Sequence, residues 1–143
     1  ILVCANQEAC VLDLEKHRPV KITNLPYPKE NFPESVFSEN FERFPVQIEE
    51  SDFKYEQKIY SQHIDMSYHM NNIEYIKLAL NIFSNDFLLH NEVSSLEVHF
   101  TGESREGENL RVYSRNLDGS FFIFIKESER IVFEMKIEFQ SSL

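Results

Sequence analysis

The feature that most constrains the fold is an apolar segment in the middle of the chain, "NNIEYIKLALNIF" at residues 71–83. At helical spacing, its apolar side chains cover most of the helix surface: Ile73, Tyr75, Ile76, Leu78, Ala79, Leu80, Ile82 and Phe83. A helix that is apolar nearly all round must be buried on most sides. The sequence therefore predicts a buried helix over residues 71–83, with Asn71 or Asn72 as its N-cap.

Strand-like sequence lies on both sides of this helix. Before it, "FKYEQKIY" alternates, and after it come "VSSLEVHFT", "NLRVYSRN", "SFFIFIKES" and "IVFEMKIEFQ". The Asp-Gly pair in "LDGS" predicts a tight hairpin, and "SER" predicts a second short turn. One strand, a buried helix and four antiparallel strands indicate an α+β protein with the hot-dog fold, an antiparallel sheet wrapped around one central helix.

The N-terminal part differs in character. Residues 1–14 are rich in aliphatic and β-branched types, which predicts one long or bulged strand and suggests a chain that begins partway through a domain. Residues 15–34 carry four of the five prolines and predict an ordered linker over a surface. A short helix is predicted in "PESVFSENFERF".

Composition excludes several classes of function. The net charge of -10 disfavours nucleic acid and anionic membranes as partners. With only 3 glycines and no Gly-rich phosphate-binding motif, a nucleotide-driven enzyme is disfavoured. No apolar run is long enough to span a bilayer, so a cytoplasmic protein is expected. Cys4 and Cys10 form no CxxC motif, and buried structural thiols are expected rather than a disulfide.

Five small or titratable polar residues lie within eight positions where the strand pattern gives way to the helix: Asp65, Ser67, His69, Asn71 and Asn72. In an extended segment Asp65, Ser67 and His69 share one face. The N-terminus of the buried helix offers unpaired N–H groups that would stabilise an oxyanion. This combination suits acyl-transfer chemistry.

Two other interpretations of the cluster remain open at this point. Asp65 and the asparagines can serve only as helix caps, with His69 bonded to a backbone carbonyl. Alternatively, His63, Asp65 and His69 can ligate a metal ion, although no matching partner pattern is present.

The segment "DMSYHMNNIEYI" resembles the D-x-N-x-H-x-N-N-x-x-Y signature of plant and bacterial acyl-acyl carrier protein (acyl-ACP) thioesterases, which opens the central helix of their second hot-dog domain. "LEVHFTGESREGENLRVY" is similar to the family strand with a Glu-Cys pair, and "VLDLEKHRPVKI" resembles the exit from the first domain. The resemblance implies three parts: residues 1–22, the end of a mostly absent N-terminal hot-dog domain; 23–49, a linker; and 50–143, the C-terminal hot-dog domain.

The resemblance also implies roles for particular residues. Asp65, His69 and Glu103 match catalytic positions, while Ser67, Asn71 and Asn72 would contact substrate; no cofactor or metal is implied. Glu103 or Asp65 would activate water or attack directly, and His69 would position the thioester. Ser67 stands in place of an Asn, and Ser104 in place of the Cys, which excludes a cysteine–histidine mechanism.

The function implied is hydrolysis of fatty acyl-ACP to free fatty acid in fatty acid biosynthesis. Acyl carrier protein is acidic, so a basic patch should dock it; Lys16, Arg18 and Lys21 are candidates, although a solvated loop explains them equally well. The alternatives are an acyl-coenzyme A thioesterase acting as a hot-dog dimer and a non-catalytic acyl-binding or interaction module. An exposed apolar strand in the N-terminal segment predicts a homo-oligomer or pairing with the missing N-terminal domain.

Overall fold

The computed structural model describes residues 4–7, 11–13, 15, 18–21 and 43–141. The chain divides into two units, Ile1–Arg43 and Phe44–Leu143. In the first unit, strands β1 (Val11–Asp13) and β2 (Arg18–Val20) form an antiparallel pair.

The prediction of one strand over residues 1–14 is wrong at residues 4–7, which have no regular secondary structure. The expected burial of Cys4 is also wrong: this cysteine is free and exposed, as are the other residues of 4–7. Cys10 lies outside the described residues. So does the helix predicted in residues 33–44, apart from its last two residues, which are not helical.

The second unit contains a five-stranded antiparallel sheet in the order β3-β5-β6-β7-β4. A 3₁₀ turn at Glu50–Asp52 leads into its first strand. The strands are β3 (Phe53–Lys58), β4 (Asn91–Phe100), β5 (Asn109–Leu117), β6 (Ser120–Glu127) and β7 (Arg130–Ser141). All five predicted strand segments of this unit are therefore present.

Helix α1 (Asn72–Leu80) packs against the central strand β6. Tyr75, Leu78 and Ala79 are its buried residues, and they join a core formed by the inward faces of the strands. The α+β arrangement of an antiparallel sheet around a central helix is the one predicted. The predicted burial on most sides is wrong for Ile73, which is exposed because the sheet covers only one side of the first turn.

Helix α1 ends three residues earlier than predicted, and a second helix follows. The Asn81 N–H bonds to Lys77 O and Leu78 O and closes the last turn. Helix α2 (Asn85–His90), which was not predicted, has Ser84 as its N-cap, and the Ser84 hydroxyl accepts from the Phe87 N–H at 3.1 Å. Aromatic contacts anchor this segment to the sheet through Phe83, Phe87, Phe121 and Phe139. Neither helix of the described residues has the length and apolar character needed to cross a membrane.

The two predicted hairpin turns are confirmed. Between β5 and β6, Asp118 (φ 50°) and Gly119 (φ 89°) both have left-handed backbone, as a type I′ turn requires. Between β6 and β7, Ser128 takes the left-handed position with φ 53°. These turns set the register that places Arg130 at the start of β7, close to the site described next.

Candidate active site

Residues 64–70 form a tight turn ahead of α1, closed by a bridge between Ile64 and Met70. The Asp65 N–H donates to His69 O at 3.0 Å, and the Tyr68 N–H donates to Asp65 O at 3.1 Å. Tyr68 has left-handed backbone, with φ 63°. The premise of an extended segment with Asp65, Ser67 and His69 on one face is therefore wrong, because the chain reverses between Asp65 and His69.

Two of the polar side chains serve this turn and the helix start. Asp65 Oδ1 accepts the Ser67 N–H at 2.8 Å, which stabilises the turn. Asn71 is the N-cap of α1, and its Oδ1 accepts the Ile73 N–H at 2.9 Å. Asn72 is the first helical residue, and Ser67 is exposed on the turn. The capping interpretation is correct for Asn71, and Asp65 stabilises the turn rather than the helix.

Glu103 follows β4 on a segment that leaves the sheet beside β7. The Thr101 and Gly102 N–H groups both donate to Val132 O, at 3.0 and 3.1 Å. A Cβ at Gly102 would lie 3.1 Å from Arg130 Nη1 and 3.4 Å from Val132 Cα. Glycine at this position thus allows the backbone to pass close to β7 and carry Glu103 toward the turn at residues 64–70.

The turn and the Glu103 segment meet through one backbone and one side-chain contact. The Met70 N–H donates to Ser104 O at 2.8 Å. His69 Nε2 lies 3.0 Å from Glu103 Oε2, with 28% of the His69 side chain and 63% of the Glu103 side chain exposed. The structure thus joins the predicted residues His69 and Glu103, 34 positions apart in sequence (103 minus 69). Within the described residues, Asp65 forms no ion pair with either of them.

Two arginines that the sequence analysis missed flank this pair. Arg130 Nη2 donates to Glu103 O at 2.9 Å. Arg105 Nη2 lies 3.5 Å from His69 Nε2. When that nitrogen carries the proton shared with Glu103, it cannot also accept from Arg105, so the guanidinium acts as a nearby positive charge. Arg105 belongs to the "GESREGEN" segment, whereas Arg130 lies 27 positions after Glu103 and gives no local sequence signal.

Ser104 is fully buried, with 0% of its surface exposed. A nucleophile must touch the thioester carbon, and a buried hydroxyl in this position cannot do so. Ser104 occupies the position of the family cysteine, so its burial agrees with the exclusion of a cysteine–histidine mechanism.

The metal-site interpretation is not supported by the positions of its residues. His63 Nδ1 accepts the Tyr60 N–H at 3.0 Å, so its imidazole is directed at its own 3₁₀ turn, Ser61–His63. Among the described residues, no group of three or more His, Cys, Asp and Glu side chains has the geometry to hold a metal ion.

A cavity of ≈ 250 Å³ lies at the opposite end of α1, far from the His69–Glu103 pair. It is lined by Lys54, Ile82, Phe83, Ser114, Asn116 and Phe121. Nine helical residues span about 13 Å. The cavity is therefore separate from the candidate active site.

A second imidazole–carboxylate cluster lies on the sheet face that points away from α1. His99 bonds to Glu97 Oε1 at 2.7 Å and to Glu134 Oε2 at 3.3 Å, and Phe44 stacks on its ring at 4.5 Å. Because Phe44 covers the imidazole, this cluster holds the Phe44 side chain against the sheet. Of the predicted docking patch, Arg18 and Lys21 are exposed in the first unit, and Lys16 lies outside the described residues.

Comparison with known families gives one match. The sequence model of the family described as the acyl-ACP thioesterase C-terminal domain matches residues 46–142, which covers the whole sheet and both helices. No curated protein matches the chain.

Solved structures with the same fold include several thioesterases. An acyl-ACP thioesterase from Bacteroides thetaiotaomicron has a TM-score of 0.69 at 19% identity, over 90% of this chain and 53% of that one. The 12:0-ACP thioesterase from Umbellularia californica has a TM-score of 0.70 at 14% identity, over 92% and 53%. A Thermus thermophilus thioesterase complexed with coenzyme A and Zn has 0.54 at 14%, over 62% and 77%. At these identities the likeness shows the fold alone. The chain spans about half the length of the first two proteins.

Proposed function

Because the chain belongs to the acyl-ACP thioesterase family, whose C-terminal domain it contains over residues 46–142, we propose that it hydrolyses fatty acyl-ACP to free fatty acid. The observation that carries the proposal is the 3.0 Å contact between His69 Nε2 and Glu103 Oε2 beside the N-terminus of α1. An imidazole and a carboxylate within hydrogen-bond reach are the components of general acid–base hydrolysis.

In the proposed mechanism the Glu103 carboxylate takes a proton from water, and the water oxygen attacks the thioester carbon. His69 positions the thioester and the water; it donates its Nε2 proton to the leaving thiolate and takes the proton held by Glu103 in return. The catalytic role proposed for Asp65 is electrostatic: its carboxylate adds negative charge at the turn next to His69. These steps balance: the C–S bond breaks, a C–O bond forms, and the thiol leaves protonated.

The N-terminus of α1 supplies the oxyanion stabilisation in this proposal. The Ile73 N–H bonds to the Asn71 side chain and the Glu74 N–H bonds to Asn71 O. Within the described part of the chain, the Asn72 N–H remains as a first-turn donor for the developing oxyanion. Asn71 therefore sets the helix start, and Asn72 contacts the substrate through its backbone.

Arg105 and Arg130 support an anionic carrier as the source of the acyl group. Both guanidinium groups lie beside the His69–Glu103 pair in a chain whose net charge is -10. An acidic acyl carrier protein that docks on an acidic partner requires cationic side chains at the contact, and Arg105 and Arg130 supply two of them at this site. Coenzyme A also carries phosphates, and the coenzyme A complex of the Thermus thermophilus neighbour favours acyl-coenzyme A as the second candidate substrate.

Turnover of matched substrates tests the proposal. The same acyl chain is supplied on acyl carrier protein and on coenzyme A, and release of the free thiol is measured. A higher kcat/KM for the acyl carrier protein substrate is expected. A higher value for coenzyme A would select the alternative, and no turnover of either would refute thioester hydrolysis by this chain.

We further propose that a second hot-dog unit covers the edge of the sheet at β4. Val93, Leu96 and Phe100 are exposed on this strand, opposite the core-facing residues Phe139, Ile137 and Phe133 of β7. Within the described residues β4 pairs only with β7, and an antiparallel strand would satisfy both the remaining backbone groups and the apolar side chains of this edge. In a solution of this chain alone the second unit is a second copy, so sedimentation should give a dimer. A stable monomer of 17.0 kDa would contradict this proposal.

A further inference from the structure

The guanidinium of Arg130 contacts the backbone of the residue that carries the candidate catalytic carboxylate. Arg130 is the first residue of β7, and it pairs with Glu127 across the hairpin turn at Ser128. From this position its Nη2 donates to Glu103 O at 2.9 Å. The bond therefore joins a side chain of the sheet to the main chain of the residue whose carboxylate meets His69.

Two further contacts define the place of the guanidinium. Its Nη2 lies 3.7 Å from Glu127 Oε2. Its Nη1 lies beside Gly102, where a Cβ would come within 3.1 Å of it. Glycine thus leaves room for the guanidinium next to the backbone that leads to Glu103. Because a guanidinium is planar and rigid, a group held at these two sides also holds the direction of its bond to the carbonyl.

The position of the Glu103 carboxylate depends on its backbone. Its side chain is 63% exposed, so packing contributes little to holding it beside His69. The next carbonyl, Ser104 O, accepts the Met70 N–H at 2.8 Å, and Arg130 holds the carbonyl of Glu103 itself. Of these two contacts, only the one from Arg130 is made by a side chain, so a substitution can remove it and leave the backbone bonds in place.

We propose that Arg130 is a positioning residue that holds the Glu103 carbonyl through its Nη2 and so keeps the Glu103 carboxylate within reach of His69. The proposal rests on the proposed function of the pair. Arg130 acts through Glu103, since the bond goes to the main chain and not to reacting atoms. With 52% of its side chain exposed, the same residue also presents positive charge to a docking carrier.

Docking and positioning predict different kinetics. A residue that only docks the carrier changes KM for the acyl carrier protein substrate, whereas a positioning residue changes kcat for every thioester. Displacement of a catalytic group by about 1 Å can slow the chemical step by up to about 10²-fold. An exposed ion pair, in contrast, contributes little to stability. Removal of the Arg130 guanidinium should therefore affect turnover more than stability.

The test is Arg130→Met with Arg115→Met as its matched control. Arg115 donates to the carboxylate of Asp52 at 3.1 and 2.6 Å, and Asp52 is buried. Arg115→Met should lower Tm, because a buried carboxylate loses its partner, and keep the wild-type kcat. The same acyl chain is supplied on acyl carrier protein and on uncharged N-acetylcysteamine. Arg130→Met should lower kcat roughly tenfold on each thioester that the wild type hydrolyses, and lower Tm by no more than Arg115→Met does.

Two kinetic results would overturn the proposal. One is wild-type kcat in Arg130→Met, including a change confined to KM for the acyl carrier protein substrate, which would limit Arg130 to docking. The other is an equal loss of kcat in Arg115→Met, which would make the effect one of general stability. If Arg130→Met does not fold, Arg130→Gln, whose amide ends two bonds short of Nη2, takes its place with the same expected results.

A double substitution shows whether Arg130 acts through Glu103. In the Glu103→Gln background, Arg130→Met should have no further effect on kcat, and a full additional tenfold loss would contradict the proposal. The ¹⁵N and ¹H shifts of the His69 imidazole give a readout that does not depend on turnover. If the wild type hydrolyses no thioester, the proposed function fails. The positioning proposal then stands if Arg130→Met, unlike Arg115→Met, moves these shifts toward those of Glu103→Gln, and falls if it does not.

Discussion

Glu103→Gln removes the charge of the candidate catalytic carboxylate while it preserves the surrounding contacts. Glutamine has nearly the same shape, and its carbonyl oxygen can accept from His69 Nε2 at the 3.0 Å separation of the native pair. The backbone bonds to Glu103 O and Ser104 O do not depend on the side chain. Any change in turnover therefore reports the loss of a base, with the local fold intact.

The magnitude follows from the exposure of the carboxylate. General-base catalysis contributes roughly 10²–10⁴-fold. With 63% of its side chain exposed, Glu103 is screened by water, which favours the lower end of that range. We expect kcat/KM to fall about 10²-fold, equivalent to about 2.7 kcal/mol of transition-state stabilisation. Loss of an exposed ion pair changes the free energy of unfolding by about 1 kcal/mol or less.

The assay is steady-state thiol release, with thermal unfolding measured on the same samples. Glu106→Gln is the matched control, since Glu106 is an exposed carboxylate on the same loop. It should keep wild-type turnover. The carboxylate mechanism is wrong if Glu103→Gln retains turnover within about threefold of wild type, or if Glu106→Gln loses as much, given the hundredfold effect expected of a base.

Three further substitutions test other parts of the structure. Asp65→Asn keeps the oxygen that accepts the Ser67 N–H, so Tm should not change, and turnover should fall roughly 10²-fold; wild-type turnover would limit Asp65 to the turn. The hydrogen bonds from Arg115 hold the pKa of Asp52 below its ordinary value of 3.8. The carboxyl of Asp52 thus binds a proton more tightly in the unfolded chain than in the folded one. Its contribution to the free energy of unfolding is therefore complete above about pH 5 and is lost as the pH falls through the lowered pKa. Asp52→Asn should flatten the acid side of a plot of Tm against pH, and an unchanged slope would contradict the pairing. Gly119→Ala places a Cβ at φ 89° and should lower the free energy of unfolding by about 1 kcal/mol in chemical denaturation, whereas an unchanged midpoint would contradict the type I′ turn.

The sequence predicted those helices and turns that are determined by residues close together in the chain. The periodicity of residues 71–83 located α1, and Asp118-Gly119 located a hairpin turn because few residues adopt left-handed backbone easily. Ile73 shows the limit of such predictions: it was expected to be buried and is exposed, since spacing alone does not reveal which side of a helix the sheet covers. The signal for α2 was weak, because six residues are too few to show a helical period.

The candidate site was predictable in part. The resemblance to the family, confirmed by the match over residues 46–142, pointed to His69 and Glu103, and the structure brings these two together. The reversal at Tyr68 was not predictable, because a tyrosine rarely takes left-handed backbone. Arg130 reaches Glu103 only through the register of β4 on β7, which local sequence does not determine. The catalytic assignments remain predictions.

The meeting of the two halves of the site has a consequence for the order of folding. His69 lies before α1 and Glu103 lies after β4, and the Thr101 and Gly102 N–H groups reach Val132 of β7 only when the distant strand β7 has paired. Closing such a long loop is entropically unfavourable and occurs once other long-range pairs are in place. On dilution from denaturant, recovery of thioester hydrolysis should therefore not precede the circular-dichroism signal of the sheet, so turnover reports the completion of refolding.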